Sequence, residues 1–166
     1  FYAGHGFPDE SQQIPYLIPV DVNASNLSSA IPLREVYQKF SETSAKKITV
    51  LLDACFSGGG RNQGLLAARA VRIKPKEESI GGNMIVFAAS SGEQSALAYD
   101  AQKHGLFSYY LMKKLQESKG TANYGEIFNY LKEKIGIESL RVNGKSQDPG
   151  IVPSPLLLNT WKDLTF

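Results

Sequence analysis

The stretch "ITVLLDACFSGGG", residues 48–60, decides the fold. Ile48 to Leu52 is a continuous run of apolar or β-branched residues without polar alternation. That is the pattern of a strand covered on both faces in a parallel sheet. The run leads straight into Asp53-Ala54-Cys55, and Gly58, Gly59 and Gly60 follow. Cys55 is the only cysteine of the chain. It is either a small core residue at a strand end or a nucleophile presented there.

The elements on either side fit the same picture. Met84 to Ala89 ("MIVFAA") reads as a second doubly covered strand. Phe1 to Ala3 reads as a strand end broken by Gly4-His5-Gly6. Residues 7–30, rich in Pro, Asp, Asn and Ser, read as loop with a short strand near Tyr16 to Ile18. Pro32 suits a first helical turn, and Leu33, Val36, Tyr37 and Phe40 repeat at helical spacing, which predicts a helix over about 32–44. Phe107, Tyr110, Leu111 and Leu115 predict another helix, and Tyr124, Ile127, Phe128, Leu131 and Ile135 a third. "SPLLLNTW" suggests a last strand. Residues 57–82, with six glycines and a basic stretch, read as an exposed loop. No internal repeat interrupts the pattern. Strands alternating with helices predict an α/β layered fold with a mainly parallel sheet.

At 166 residues and 42% hydrophobic, the chain suits one domain with a real core. Eighteen Lys and Arg against sixteen Asp and Glu leave a formal charge of +2, too balanced to argue for nucleic acid or an anionic membrane as partner. The longest apolar run, Met84 to Ala89, has six residues. A membrane-spanning helix needs roughly 18. A single cysteine excludes an internal disulfide and fits a reducing, cytoplasmic compartment. "FYAGHG" opens without Met and reads as the tail of a strand already under way, so earlier strands of the same protein are expected to precede it.

In parallel-sheet folds, ligands bind at the carboxyl ends of the strands. Both His5 and Cys55 are expected at such ends, each flanked by glycine. A thiol, with a free pKa of roughly 8.5, becomes a strong nucleophile beside a base, and histidine is the natural one near neutrality. Acyl transfer also needs N–H donors for the oxyanion. The amides of Gly6 and Cys55 are candidates, and Gly58 to Gly60 would turn the chain away and leave the sulfur open. A lone cysteine or histidine is more often structural; it is the pair on one rim that points to chemistry.

"YAGHG" followed by "DACFSG" resembles the caspase-like cysteine peptidases, and most closely their metacaspase and orthocaspase branch. The caspase signature Q-A-C-[RQG]-G has its histidine about 50 residues upstream; here 55 − 5 = 50. "FAASSGEQSALAYD", "HGLFSYYLMKKL" and "QDPGIVPSP" resemble the family's later strand, helix and closing loop, so the likeness covers essentially the whole chain. It implies a three-layer caspase-like sandwich lacking the family's N-terminal strands, with residues 1–76 matching the large part and 77–166 the small part. It further implies His5 as catalytic histidine, Cys55 as nucleophile, their dyad sufficing without a third side chain, and the Gly6 and Cys55 amides as oxyanion hole. Caspases that cut after aspartate carry Gln two residues before the cysteine, whereas metacaspase-like enzymes carry Asp, as here at Asp53.

Residues i and i+2 of a strand share a face, so Asp53 is expected beside the sulfur. A carboxylate there favours Arg or Lys before the scissile bond and repels Asp. The competing reading is that Asp53 caps a neighbouring segment. His104, in "KHGLF", is a rival base, although it precedes a helix instead of following a strand. Arg61, Arg69, Arg72, Lys74 and Lys76 form a basic stretch, either solvated surface or a self-processing loop. Many metacaspases require calcium; Asp9, Glu10 and Asp21 are the nearby acids, and Asn62 stands seven residues after Cys55. These are too few oxygen ligands to define a calcium site, and no cofactor is assigned. His5, His104 and Cys55 do not make a zinc site. The expected activity is therefore a cysteine endopeptidase acting after Arg or Lys. The alternatives are an inactive caspase-like interaction module, a caspase-fold peptidase with Asp specificity, or a hydrolase of small amides.

Overall fold

The computed structural model describes residues 1–9, 11–22, 27–57 and 78–166. In chain order these form β1 (Tyr2–Ala3), β2 (His5–Pro8), β3 (Pro15–Ile18), β4 (Ile31–Pro32), α1 (Leu33–Ser41), β5 (Ile48–Asp53), β6 (Met84–Ala88), β7 (Ala98–Tyr99), β8 (His104–Gly105), α2 (Leu106–Glu117), α3 (Tyr124–Asn143) and β9 (Gly150–Pro153). The stretch Arg61, Arg69, Arg72, Lys74 and Lys76 lies outside the described residues, as do Glu10, Gly58 to Gly60, Asn62 and the boundary at 76/77.

The central sheet has the order β1-β5-β6-β9. The first three strands run parallel, and β9 is antiparallel to β6. β5 and β6 pair with Val50 opposite Val86 and Leu51 opposite Phe87. Alternation then sends successive side chains to opposite faces. Val50 and Leu52, with Met84 and Val86, pack against Leu33 and Tyr37 of α1. Ile85 and Phe87, with Leu51 beside them, pack against Leu106, Phe107 and Leu111 of α2 and Tyr124, Ile127 and Leu131 of α3. Both faces are thus covered, which is why the strands carry no polar alternation. Each such large side chain fully removed from water contributes about 1.5–3 kcal/mol. The result is an α/β sandwich of three layers, as the apolar runs predict.

Three details differ from the expectation. His5 does not merely break a strand: after the bend at Gly4 it opens β2, which pairs antiparallel with β3, His5 opposite Ile18. The helix begins after Pro32, because Pro32 pairs with Tyr16 in β4 and stands at the N-cap with extended backbone. The last strand is Gly150–Pro153, not "SPLLLNTW". There Pro155, which lacks an N–H to give a sheet, starts a 3-10 turn over Pro155–Leu157, and Leu156 and Leu158 are exposed.

α3 starts with a reciprocal cap. The Asn123 side chain accepts from the Glu126 N–H at 2.8 Å, and the Glu126 carboxylate accepts from the Asn123 N–H at 3.0 Å. It ends at Gly144 in the left-handed conformation (φ 61°), whose N–H closes on Leu140 O. Asn123→Ala is expected to lower stability by about 0.5–2 kcal/mol in urea unfolding. An unchanged midpoint would show that packing alone fixes the start of α3.

Candidate functional site

The rim of the site is set by the pairing of β1 with β5. Ala3 stands opposite Asp53, and the Gly4 N–H donates to Asp53 O at 3.2 Å. His5 and Cys55 therefore each lie two residues beyond a paired position, and both leave the sheet at its carboxyl edge. Gly6 is pressed against the segment that carries the thiol. A Cβ at Gly6 would come within 2.6 Å of the Phe56 ring and 2.7 Å of Cys55 O, so only glycine fits without displacing backbone. The His5 side chain is exposed. Its backbone is pinned by the Tyr2 hydroxyl, which donates to His5 O at 2.7 Å and to Ile18 O at 3.2 Å. Burial pushes the Tyr2 pKa up, so the hydroxyl stays protonated and available as donor.

Cys55 is only 4% exposed. Its Sγ accepts from the Ala96 N–H at 3.0 Å and donates to Ala96 O at 3.2 Å. The segment that meets the sulfur is itself held on several sides. Ser57 Oγ donates to Gln94 O at 3.0 Å. The Gln94 amide gives to Asp148 Oδ2 at 2.6 Å, and the Asp148 N–H returns a bond to Gln94 Oε1 at 2.7 Å. Gln147, fully buried, accepts from the Leu97 N–H at 2.8 Å and donates to Ala89 O at 2.8 Å. A buried amide satisfied at both ends fixes its neighbours tightly. None of Gln94, Ala96 or Gln147 stands out in the sequence. Ala96 acts through its backbone, and Gln147 gains its meaning only from folding 50 residues beyond Leu97.

Asp53 lies with Thr49 and Leu51 on the face toward α2 and α3, and is completely buried. Its Oδ2 accepts from the Ser108 N–H at 3.2 Å and from the Ser108 hydroxyl. Ser108 is the third residue of α2, whose N-cap, Gly105, has no side chain to offer. Asp53 thus supplies from β5 the acceptor and the negative charge that a helix N-terminus lacks. Capping is one of the two roles open to Asp53 in the sequence, and its geometry is present here. Ser108 was not singled out by sequence reasoning; its place in the first turn of "LFSYY" is the only signal.

A cavity of about 660 Å³ opens between β1, the β7–β8 hairpin and the first turns of α2. Ala3, Asp100, His104 and Ser108 are on its wall. His104 is exposed there, paired across the hairpin with Tyr99. Among the described residues, no group of three or more His, Cys, Asp or Glu side chains is placed to hold a metal ion. Asp9 instead closes a local turn, its Oδ1 taking the N–H groups of Ser11 and Gln12 at 3.0 and 2.6 Å. These bonds, the Ser11 hydroxyl first, hold the Asp9 carboxyl below its ordinary pKa. No helix among the described residues is long and apolar enough to cross a membrane.

Asp53→Ala leaves the Ser108 N–H buried without its acceptor, and is expected to cost roughly 1–3 kcal/mol in denaturant unfolding. Wild-type stability in that variant would mean that α2 does not depend on the cap. A search of curated proteins found no match. A family model described as "Caspase domain" matches residues 1–158.

Proposed function

Because the chain belongs to the caspase-domain family of cysteine peptidases, we propose that it is an endopeptidase cutting after Arg or Lys, with Cys55 as nucleophile and His5 as base. The observation that carries this reading is the β1–β5 register, with His5 and Cys55 each two residues past the paired Ala3 and Asp53. The only cysteine of the chain and a histidine are thereby delivered to one sheet edge.

His5 takes the proton of the Cys55 thiol, and Sγ attacks the scissile carbonyl carbon. For this the thiol exchanges its hydrogen bond to Ala96 O for one to His5. The amides of Gly6 and Cys55 hold the oxyanion as the tetrahedral intermediate forms. His5 returns the proton to the leaving amine as the C–N bond breaks, leaving a thioester that water, deprotonated by His5, then hydrolyses. The nearby backbone supports this: the tight approach of Gly6 to Cys55 O keeps the two amide-bearing segments in contact. A carboxylate two residues before the nucleophile supports a preference for a basic residue. That preference, and with it the likeness to metacaspases, belongs to the proposal. So does self-processing at Arg61, Arg69, Arg72, Lys74 or Lys76, an outcome expected of a basic stretch joining the two parts of such an enzyme. Calcium has no assigned role in these steps.

A matched pair of fluorogenic peptides, one with Arg and one with Asp before the scissile bond, tests the reading. The Arg peptide is expected to be cleaved and the Asp peptide spared, with Cys55→Ala lowering the rate at least about a thousandfold. Preference for Asp would overturn the specificity. Cleavage of neither would return the chain to an interaction module. On a denaturing gel, wild type is expected to show two pieces where Cys55→Ala shows one; identical intact bands would remove self-processing.

A further inference from the structure

The sulfur of Cys55 is closed off from solvent. Cys55 is 4% exposed and belongs to the core cluster that includes Phe87, Ala89, Ala96 and Leu97. Its Sγ meets both polar groups of one backbone residue, accepting from the Ala96 N–H at 3.0 Å and donating to Ala96 O at 3.2 Å. Attack on a carbonyl needs the reacting atoms about 3–3.5 Å apart, which a sulfur with almost no surface cannot reach. We propose that residues 94–97 form a strap that holds Cys55 closed, that the clamp between Gln94 and Asp148 fastens this strap, and that release of the clamp precedes attack. The strap bears on catalysis through the nucleophile role proposed for Cys55, and to that extent rests on it.

The strap is fastened at both ends. At one end Gln94 Nε2 donates to Asp148 Oδ2 at 2.6 Å, and the Asp148 N–H donates to Gln94 Oε1 at 2.7 Å. Gln94 O accepts from Ser57 Oγ at 3.0 Å and from Ser90 Oγ at 3.2 Å. The same residue is thus tied to the chain two residues past Cys55 and to the turn that follows β6. At the other end Gln147 Oε1 accepts from the Leu97 N–H at 2.8 Å. The Leu97 N–H and the Ala96 C=O lie on opposite sides of one planar trans peptide. By holding that N–H, Gln147 turns Ala96 O toward the sulfur, where it accepts the thiol proton. Ser57, Ala96 and Gln147 are buried, whereas Gln94 and Asp148 are both half-buried. Water therefore competes first at the Gln94–Asp148 pair, and local opening begins where hydrogen bonds meet solvent. Once the strap lifts, the fraction of open molecules scales the rate of any reaction at Sγ.

The test is the rate of Cys55 alkylation by iodoacetamide in wild type, Gln94→Glu and the double variant Gln94→Glu with Asp148→Asn. Cys55 is the only cysteine, so the label reports this sulfur alone, and the reaction needs no peptidase activity. Gln94→Glu sets two carboxylates face to face and is expected to raise the rate about tenfold. Asp148→Asn then restores a donor opposite the new carboxylate, and the double variant is expected to return to within about threefold of wild type. Lifting the strap alone exposes little surface, so the rates are expected to stay nearly flat in low urea. Should Gln94→Glu fail to fold, Gln94→Ala, which removes the clamp without adding charge, gives the same rise. Cleavage of the Arg peptide is expected to rise with the alkylation rate. An unchanged rate in the folded single variant overturns the strap. So does a rise that the double variant does not reverse, or a rate that climbs with urea as steeply as global unfolding. Cleavage that falls while alkylation rises overturns the claim that release precedes attack. A wild type that cleaves no peptide, in a series that still shows the rise and its reversal, upholds the strap and removes the peptidase reading.

Discussion

The bond between the Asp53 carboxylate and the first turn of α2 is what the rest of the site depends on. A carboxylate with no exposed surface costs several kcal/mol to desolvate. Hydrogen bonds to a charged acceptor return about 1.5–3 kcal/mol each, and the helix N-terminus adds favourable field. Ser108 provides two such bonds. In turn, β5 and α2 are locked end to end. That lock orients Leu106 and Phe107 under the sheet, and it places the cavity wall beside the residue two before Cys55.

Among the described residues, the sheet below the site is held by packing on both faces. The two faces of β5 and β6 bury side chains alternately against α1 and against α2 with α3. Thr49 and Tyr124 share a hydrogen bond of 2.5 Å across the second face, and the Phe87 and Tyr124 rings meet edge-on with centroids 5.4 Å apart. Such a base suits the role proposed for Cys55, since a nucleophile must be held within fractions of an ångström of its working geometry.

Much of this was legible in the residues themselves. Ile48 to Leu52 and Met84 to Ala89 announced doubly covered strands because nothing polar enough to face water interrupts them. The spacing of Phe107, Tyr110 and Leu111 announced α2 for the complementary reason. Position 108 stayed silent: a serine in the first turn of a helix looks like any solvated hydroxyl until a strand from 55 residues earlier reaches it. The hairpin of β2 and β3 was hidden by prolines and small polar residues, whose local preference for turns was overridden by cross-strand pairing. "SPLLLNTW" misled in the opposite direction, since its apolar run is exposed on a 3-10 turn and the true edge strand lies just before it.

Gln147 gives the architecture a direction in time. The amide that anchors Leu97 beside the thiol is contributed from 50 residues downstream, and the Asp148 contact with Gln94 from 54. Both arrive after α3 has been made. Contacts of such wide separation close late, because loop-closure entropy must be met before they form. During synthesis the segment beside the sulfur is therefore left without these two anchors until Gln147 and Asp148 have emerged. A chain interrupted before Gln147 has the cysteine but lacks the amide that ties Leu97 to Ala89.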